Sequence, residues 1–490
     1  MQETNDRLAP DEREGSVCVE DGATIAAPAE ATAGTEGTTG DGNAQGAPSE
    51  TDLATSRELI DFIRDCPSMF HTAAAARRRL EDAGFTYLPE SAHWDVRRGG
   101  RYYTVRNNSS VIAFRVGSRL DADGYRFQMS AAHSDQPTFK VKSVPELEGP
   151  GEYLRLDVEA YGGMIDHTWL DRPLSLAGRV LVRTADGIES RLLSLDEDVL
   201  LIPSVAIHLN RSVNDGCKLN RQVDLCPLFS AGALRRGDFD RMLASELGVC
   251  PEDVLARDLF LVNRTQPRIW GWAREFVSAP KLDDLQCAFA SLLGFLASEN
   301  ERDVSVWCCF DNEEVGSNTK QGAMSTLLLD TLTRLNAALG GGDEDYRRAL
   351  ARSFLVSCDN AHAVHPNRPE LTDEANRARL NGGIVIKEAA SQHYTTDAFS
   401  RALFREVCRR AGVPTQTFAN RSDSAGGSTL GNLSNIQVSV HAVDVGLPQL
   451  AMHSCYETTG SRDTALGVAA LKAFFDADLA IEGADRASIG

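Results

Sequence analysis

Apolar positions along this chain alternate between two periods, one near 3.6 residues and one of short continuous runs, and the switches mark its elements. Order begins near Leu53, where Leu59, Ile60, Phe62 and Ile63 form a helical stripe that ends at Pro67 and Ser68. A second helix covers about 69–83 and stops at Gly84. Segments 102–105 and 110–116 predict a hairpin turning at Asn107-Asn108, and 127–132 a buried strand running into His133-Ser134-Asp135. From about Glu146 the texture changes to short β-type runs at 153–161, 174–183 and 188–193, with Ala206 to Asn210 in the same block and a helix at 239–247. After Pro267 the alternation returns, with helices at 283–298, 325–339, 395–411 and 463–475 and strands at 304–310, 354–357, 383–387 and 436–443. This pattern predicts an α/β fold with a mostly parallel sheet flanked by helices. The β-rich block at 148–267 then reads as a domain inserted into a larger one formed by 54–147 and 268–490.

The first 50 residues do not fit this scheme. They hold no aromatic residue and no hydrophobic period, and they carry 11 acidic residues against two arginines. Such a segment cannot bury enough apolar surface to offset its ordering entropy, so a disordered acidic tail over 1–53 is expected. The net charge of -20 argues against nucleic acid or an anionic membrane as partner. No apolar run approaches the ~18 residues needed to span a bilayer, and the start lacks the basic and apolar regions of a signal peptide. The 11 cysteines are scattered without a CxxC pair, several inside apolar runs, which points to a reducing, cytoplasmic setting.

Candidate chemistry collects where strands are expected to end. The apolar run 304–310 leads into Asp311-Asn312-Glu313-Glu314-Val315-Gly316. Taken alone, two adjacent glutamates describe a solvated acidic turn as readily as a site in which one carboxylate binds metal and the other moves protons. His133 ends another strand, Asp359 follows a third, Asp283 sits at a loop-to-helix junction and His453 lies in the loop after the 436–443 segment. In open α/β sheets ligands bind at the carboxyl ends of strands, so these side chains can meet in one crevice. Two histidines with several carboxylates suit zinc, manganese or cobalt. Without a cation, mutual repulsion would oppose gathering so many acids.

At this point the chain resembles the aspartyl aminopeptidase family, the di-zinc exopeptidases that include the vacuolar aminopeptidase. The resemblance rests on Ala131-Ala132-His133-Ser134-Asp135, Asp171-Arg172-Pro173-Leu174, Ala206-Ile207-His208-Leu209 and Ala279-Pro280-Lys281-Leu282-Asp283-Asp284. It continues through Asp311 to Ser317, Asp359-Asn360-Ala361-His362, Gly426-Gly427-Ser428-Thr429 and Pro448 to Ser454, covering the chain in order from about Leu53. It implies that Asp283 bridges two zinc ions, with His133 and Asp359 completing one site and Glu314 and His453 the other. Glu313 would be the general base, taking a proton from the attacking water and passing it to the leaving amine. Asp135 would fix the ring of His133 from behind. His208 would reach a neighbouring subunit's active site, its plain alternative being a satisfied histidine in a β-rich interface. Lys387, whose plain alternative is a solvated strand end, would select peptides with a free N-terminus that begin with Asp or Glu. The 148–267 block would be a dimerisation domain, and dimers would build a homododecamer.

Two departures from the family's usual pattern stand out. Asp284 occupies a position where Asn usually follows the bridging Asp, adding negative charge near the metals. Ser422-Asp423-Ser424-Ala425 varies ahead of Gly426-Gly427, beside the expected pocket wall. Rival readings are another di-metal amidohydrolase, such as a deacylase, and a catalytically silent assembly protein of the same fold.

Overall fold

The computed structural model describes residues 47–121, 124–424, 426–483 and 486–490. The expected tail therefore lies almost wholly outside the described residues, as does Ala425 of the variant segment. The first helix, Glu50–Asp65, starts ahead of Leu53 because a capping box sets its start. Ser49 Oγ accepts the Asp52 N–H at 3.1 Å, and the Asp52 carboxylate accepts the Ser49 N–H at 2.8 Å. The second helix, Met69–Asp82, ends as expected at Gly84, whose φ of +81° only glycine adopts without strain.

Among the described residues the largest sheet has nine strands. Its centre is four parallel strands in the order Val304–Phe310, Phe127–His133, Phe354–Cys358, His441–Gly446. The hairpin Arg101–Arg106/Ser110–Val116 extends it with antiparallel pairing, and Asn107 and Asn108 take left-handed φ values of 59° and 54° at the turn. Every position of Ser110–Val116, Phe127–His133 and Val304–Phe310 is buried, which is why these strands appear in the sequence as continuous apolar runs. The helices Leu282–Ala297, Ala398–Arg410 and Asp463–Asp476 cover one face, packing Phe295, Phe404 and Phe474 against Trp307, Phe354 and Val443. Leu327–Ala338 and Asp343–Ala351 cover the other, where Leu332 and Tyr346 join Phe114, Phe127 and Val306.

The inserted block forms a six-stranded sheet, antiparallel throughout, with its own core of Phe139, Leu156, Trp169, Leu176, Phe239 and Leu259. One of its strands, Thr138–Glu148, starts ahead of the β-rich texture seen in the sequence. A register shift between Val141 and Glu146 breaks the strand Thr138–Glu148, so the β-pattern shows in the sequence only afterwards. A five-stranded sheet joins Arg268–Trp270, Phe276–Ala279, Glu457–Gly460, Pro448–Leu450 and Ala361–His362. These strands immediately precede Asp283, follow Asp359 and flank His453, so this small sheet delivers site residues to the ends of the large one.

The elements depart from the expected pattern at three places. The strand expected at 436–443 runs His441–Gly446, because Ile436 and Val438 belong to the turn after a short helix, Leu430–Ser434. The helix Asp343–Ala351, behind Gly340-Gly341-Gly342, had no counterpart in the reading of the sequence. The chain closes on a hairpin, Leu479–Glu482 with Arg486–Ile489, rather than on its last helix. No helix among the described residues is long and apolar enough to cross a membrane.

Candidate active site

Strand register brings the site together. Phe310 pairs with His133 and Ser357 with Ala131, so three central strands end at one level. Past Phe310 the chain turns through Asn312 and Gly316, both left-handed at φ of 64° and 95°, and the short helical turn Glu313–Val315 between them swings both glutamates back over the strand ends. Asp359 follows Cys358 directly. Its main chain is gripped closely, since a Cβ on Gly446 would lie only 2.0 Å from the Asp359 carbonyl oxygen. Asp283 stands where the backbone is still non-helical (ψ 113°) at the start of Leu282–Ala297.

All five expected ligands line one cleft of about 290 Å³, together with Glu313 and Lys387. His133 Nε2 lies 3.6 Å from Asp283 Oδ1, and His453 Nε2 lies 3.3 Å from Asp283 Oδ2 and 3.5 Å from Glu314 Oε2. Candidate donor atoms gather as His133, Asp283, Asp284 and Asp359, and as Asp283, Glu314 and His453, each set within 4.8 Å of one another. Asp283 belongs to both of these, and a third set joins His133, Glu313 and Glu314.

Charge in this cleft is out of balance. Burial pushes the Glu314 carboxyl well above its ordinary range and Glu313 up to about 8, with neighbouring carboxylates adding to both. Burial also works on Asp283, but the His133 and His453 imidazoles beside it outweigh it and hold Asp283 below the usual carboxylate range. Burial opposes protonation of the two imidazoles, yet the surrounding carboxylates drive His133 well up and His453 to about 9. Asp283 Oδ1, Asp284 Oδ1 and Glu314 Oε1 are buried without a hydrogen-bond partner among the described residues. Buried oxygens are normally paired, and an array of orphan carboxylate oxygens beside two imidazoles fits divalent cations.

His133 Nδ1 sits 3.1 Å from the main-chain oxygen of Asp135 and 3.5 Å from its carboxylate. A carbonyl only accepts, so in the neutral ring Nδ1 carries the proton and Nε2 faces the cleft. The Asp135 carboxylate also holds the glutamate turn, accepting the N–H groups of Glu313 at 3.1 Å and Glu314 at 3.2 Å. Lys387 is no solvated strand end: it is buried, donates to the carbonyls of Asp359 (2.8 Å) and Asn360 (3.3 Å), and lies over the Tyr394 ring. His208 is exposed on the insert and does not line the cleft of its own chain. Asp284 is fully buried, and one of its oxygens accepts the His133 N–H at 3.1 Å.

Two supporting residues gave no signal in the sequence. Tyr161, at the end of an insert strand, donates to Asp135 Oδ2 at 2.7 Å. Glu457 accepts the N–H groups of Asp283 and His453. Both appear in the sequence as ordinary strand residues, and their partners are remote in the chain.

Imidazoles and unpaired carboxylates packed at the strand ends of an α/β sheet are the centre of a metal-dependent hydrolase. The chain belongs to the M18 family of aminopeptidases: the family described as "Aminopeptidase I zinc metalloprotease (M18)" matches residues 62–475. A probable M18 family aminopeptidase 2 of Clostridium novyi is 42% identical over 427 residues, 86% of this chain and 98% of that protein. A cryo-EM structure of the Ape4 and Nbr1 complex is similar at a TM-score of 0.84 and 33% identity, covering 88% of each chain. The mApe1 dodecamer of S. cerevisiae is similar at a TM-score of 0.77 and 28% identity, covering 87% of this chain and 97% of that one.

Proposed function

We propose that this aminopeptidase removes N-terminal Asp or Glu from peptides, with two divalent cations held in the cleft. Zinc fits the family's description, and manganese or cobalt fits the donor set. The observation that carries this reading is that one cleft is lined by His133, Asp283, Glu314, Asp359 and His453 together with Glu313 and a buried cation, Lys387. Asp283 would be shared, with His133 and Asp359 on one side and Glu314 and His453 on the other. The cations would supply Lewis acidity for the scissile carbonyl and the attacking water, and an anchor for the free α-amine. Glu313 would take the proton of the attacking water and return it to the departing amine nitrogen. Burial raises the Glu313 pKa most and neighbouring carboxylates add to it, so positive charge among those carboxylates would favour the ionised form that accepts a proton. Asp135 keeps that carboxylate on station through the backbone of the turn.

The acidic preference rests on Lys387. Its Nζ donates to the carbonyls of Asp359 and Asn360 and lies 3.6 Å from the Asp359 carboxylate, so a substrate carboxylate would share the third N–H with that oxygen. The protein's overall negative charge is screened beyond ~8 Å, so this local cation dominates. Self-association is part of the proposal. Val205, Ile207, Leu209 and Val223 of the insert are 57%, 47%, 83% and 65% exposed around His208, and the similar S. cerevisiae protein is a dodecamer.

A panel of N-terminal residues (Asp, Glu, Ala, Leu, Lys) tests the specificity with wild type and Lys387→Met. The expected outcome is a loss of about 10- to 100-fold in kcat/KM for Asp and Glu substrates alone, the scale of one buried charge-assisted hydrogen bond. An equal loss on all five substrates would remove Lys387 as the selector.

A further inference from the structure

Glu457 lies behind the cleft, 2% exposed, on the strand Glu457–Gly460. Its carboxylate joins two segments that are remote in the sequence. Oε2 accepts the Asp283 N–H at 3.0 Å and Oε1 accepts the His453 N–H at 2.7 Å. Both recipients sit in backbone that needs holding. His453 has φ of 66°, a left-handed conformation uncommon outside glycine, and Asp283 follows Lys281 at φ of 63° in a stretch that has not yet become helix. The side chains of these residues approach to 3.3 Å on the far side, where they face Glu314. Glu457 does not line the cleft.

We infer that Glu457 is a positioning residue for one of the two cation sites: by bonding both backbones with one carboxylate, it sets the separation of Asp283 and His453. The inference rests on the two-cation reading above. A glutamine can accept one N–H through its carbonyl oxygen, but its NH2 group opposes the other, so the gap between the two backbones opens on one side. The site made by Asp283, Glu314 and His453 should loosen. The site that also uses His133 and Asp359, which hang on other strands, should change less.

Calorimetric titration of Zn2+ into the metal-stripped full chain, repeated with Co2+ while recording its visible spectrum, tests this. Wild type should take two ions per chain. Glu457→Gln should take one with wild-type affinity and the second about 10- to 100-fold more weakly, with kcat returning as metal is raised and KM little changed. Glu457→Asp, too short to reach both N–H groups, should show the same split and serves if the glutamine variant does not fold. Wild-type affinity for both ions in the variants, equal weakening of both, or failure of both variants to fold would each overturn the inference. A wild type that takes fewer than two ions would instead overturn the two-cation reading.

Discussion

Glu313 and Glu314 are neighbours in sequence with different surroundings, and that difference is the chemistry of the turn. Both main chains are tied to Asp135 and both residues are half-buried, but the Glu314 carboxylate lies 3.5 Å from His453 Nε2. Glu313→Gln keeps the shape of the turn and removes the proton acceptor. It should lower kcat by about 10²- to 10⁴-fold while metal content, measured by elemental analysis, stays at the wild-type level. Near-normal turnover in that variant would take Glu313 out of the proton path. The identities of these residues were legible in the sequence because strand ends, turns and ligand types leave local marks. What holds them was not. The Asp135 carboxylate bonds backbone across 178 residues of chain and Glu457 across 174, and a backbone donor has no residue type by which to be recognised. Lys387 shows the limit from the other side: a lysine ending an apolar strand looks solvated until Asp359, Asn360 and Tyr394 close around it.

Elements followed the same rule. The hairpin at Asn107-Asn108 and the helix stop at Gly84 were legible because each depends on a few adjacent residues. The bulged strand Thr138–Glu148 and the strand His441–Gly446 were displaced in the reading, because partners distant in sequence decide where pairing starts. The helix Met69–Asp82 carries a pH-dependent feature of this kind. His71 Nδ1 lies 2.8 Å from Ser68 Oγ in the first turn. Burial, with Lys281 and Arg78 nearby, lowers its pKa to about 4 against an ordinary 6.5. The folded state therefore resists protonation more than the unfolded chain does. The stability that the neutral ring contributes is fully present above pH 6.5 and is lost as pH falls through about 4. His71→Gln cannot take up that proton. Melting curves of wild type and His71→Gln, run on metal-stripped protein so that metal loss does not intervene, should converge or cross in the variant's favour as pH falls from 6.5 to 4. A constant difference across that range would show that His71 titrates alike in both states.

At the scale of the whole molecule, the insert has two separable tasks. Toward its own chain it braces the site: Tyr161 reaches Asp135, Ile165 donates its N–H to the His453 carbonyl at 3.0 Å, and Thr168 Oγ1 accepts the Cys455 N–H at 3.0 Å. Away from it, the segment bearing His208 and the exposed Val205, Ile207 and Leu209 faces solvent, and the proposal gives His208 its part in a neighbour's cleft. That arrangement can be tested without knowing the assembly's full symmetry. His208→Phe and Glu313→Gln should each be nearly inactive as pure preparations while still associating. Suppose the subunits are dissociated, mixed in equal amounts and reassociated across a two-fold interface. Each mixed pair then contains one cleft with an intact Glu313 of its own and an intact His208 from its neighbour, and a second cleft lacking both. Random pairing makes half the pairs mixed, so activity should return to about one quarter of the wild-type value. If His208 serves its own chain, every cleft in the mixture lacks one of the two groups, and mixing restores nothing. Sedimentation velocity on the same samples separates that outcome from a failure to reassociate.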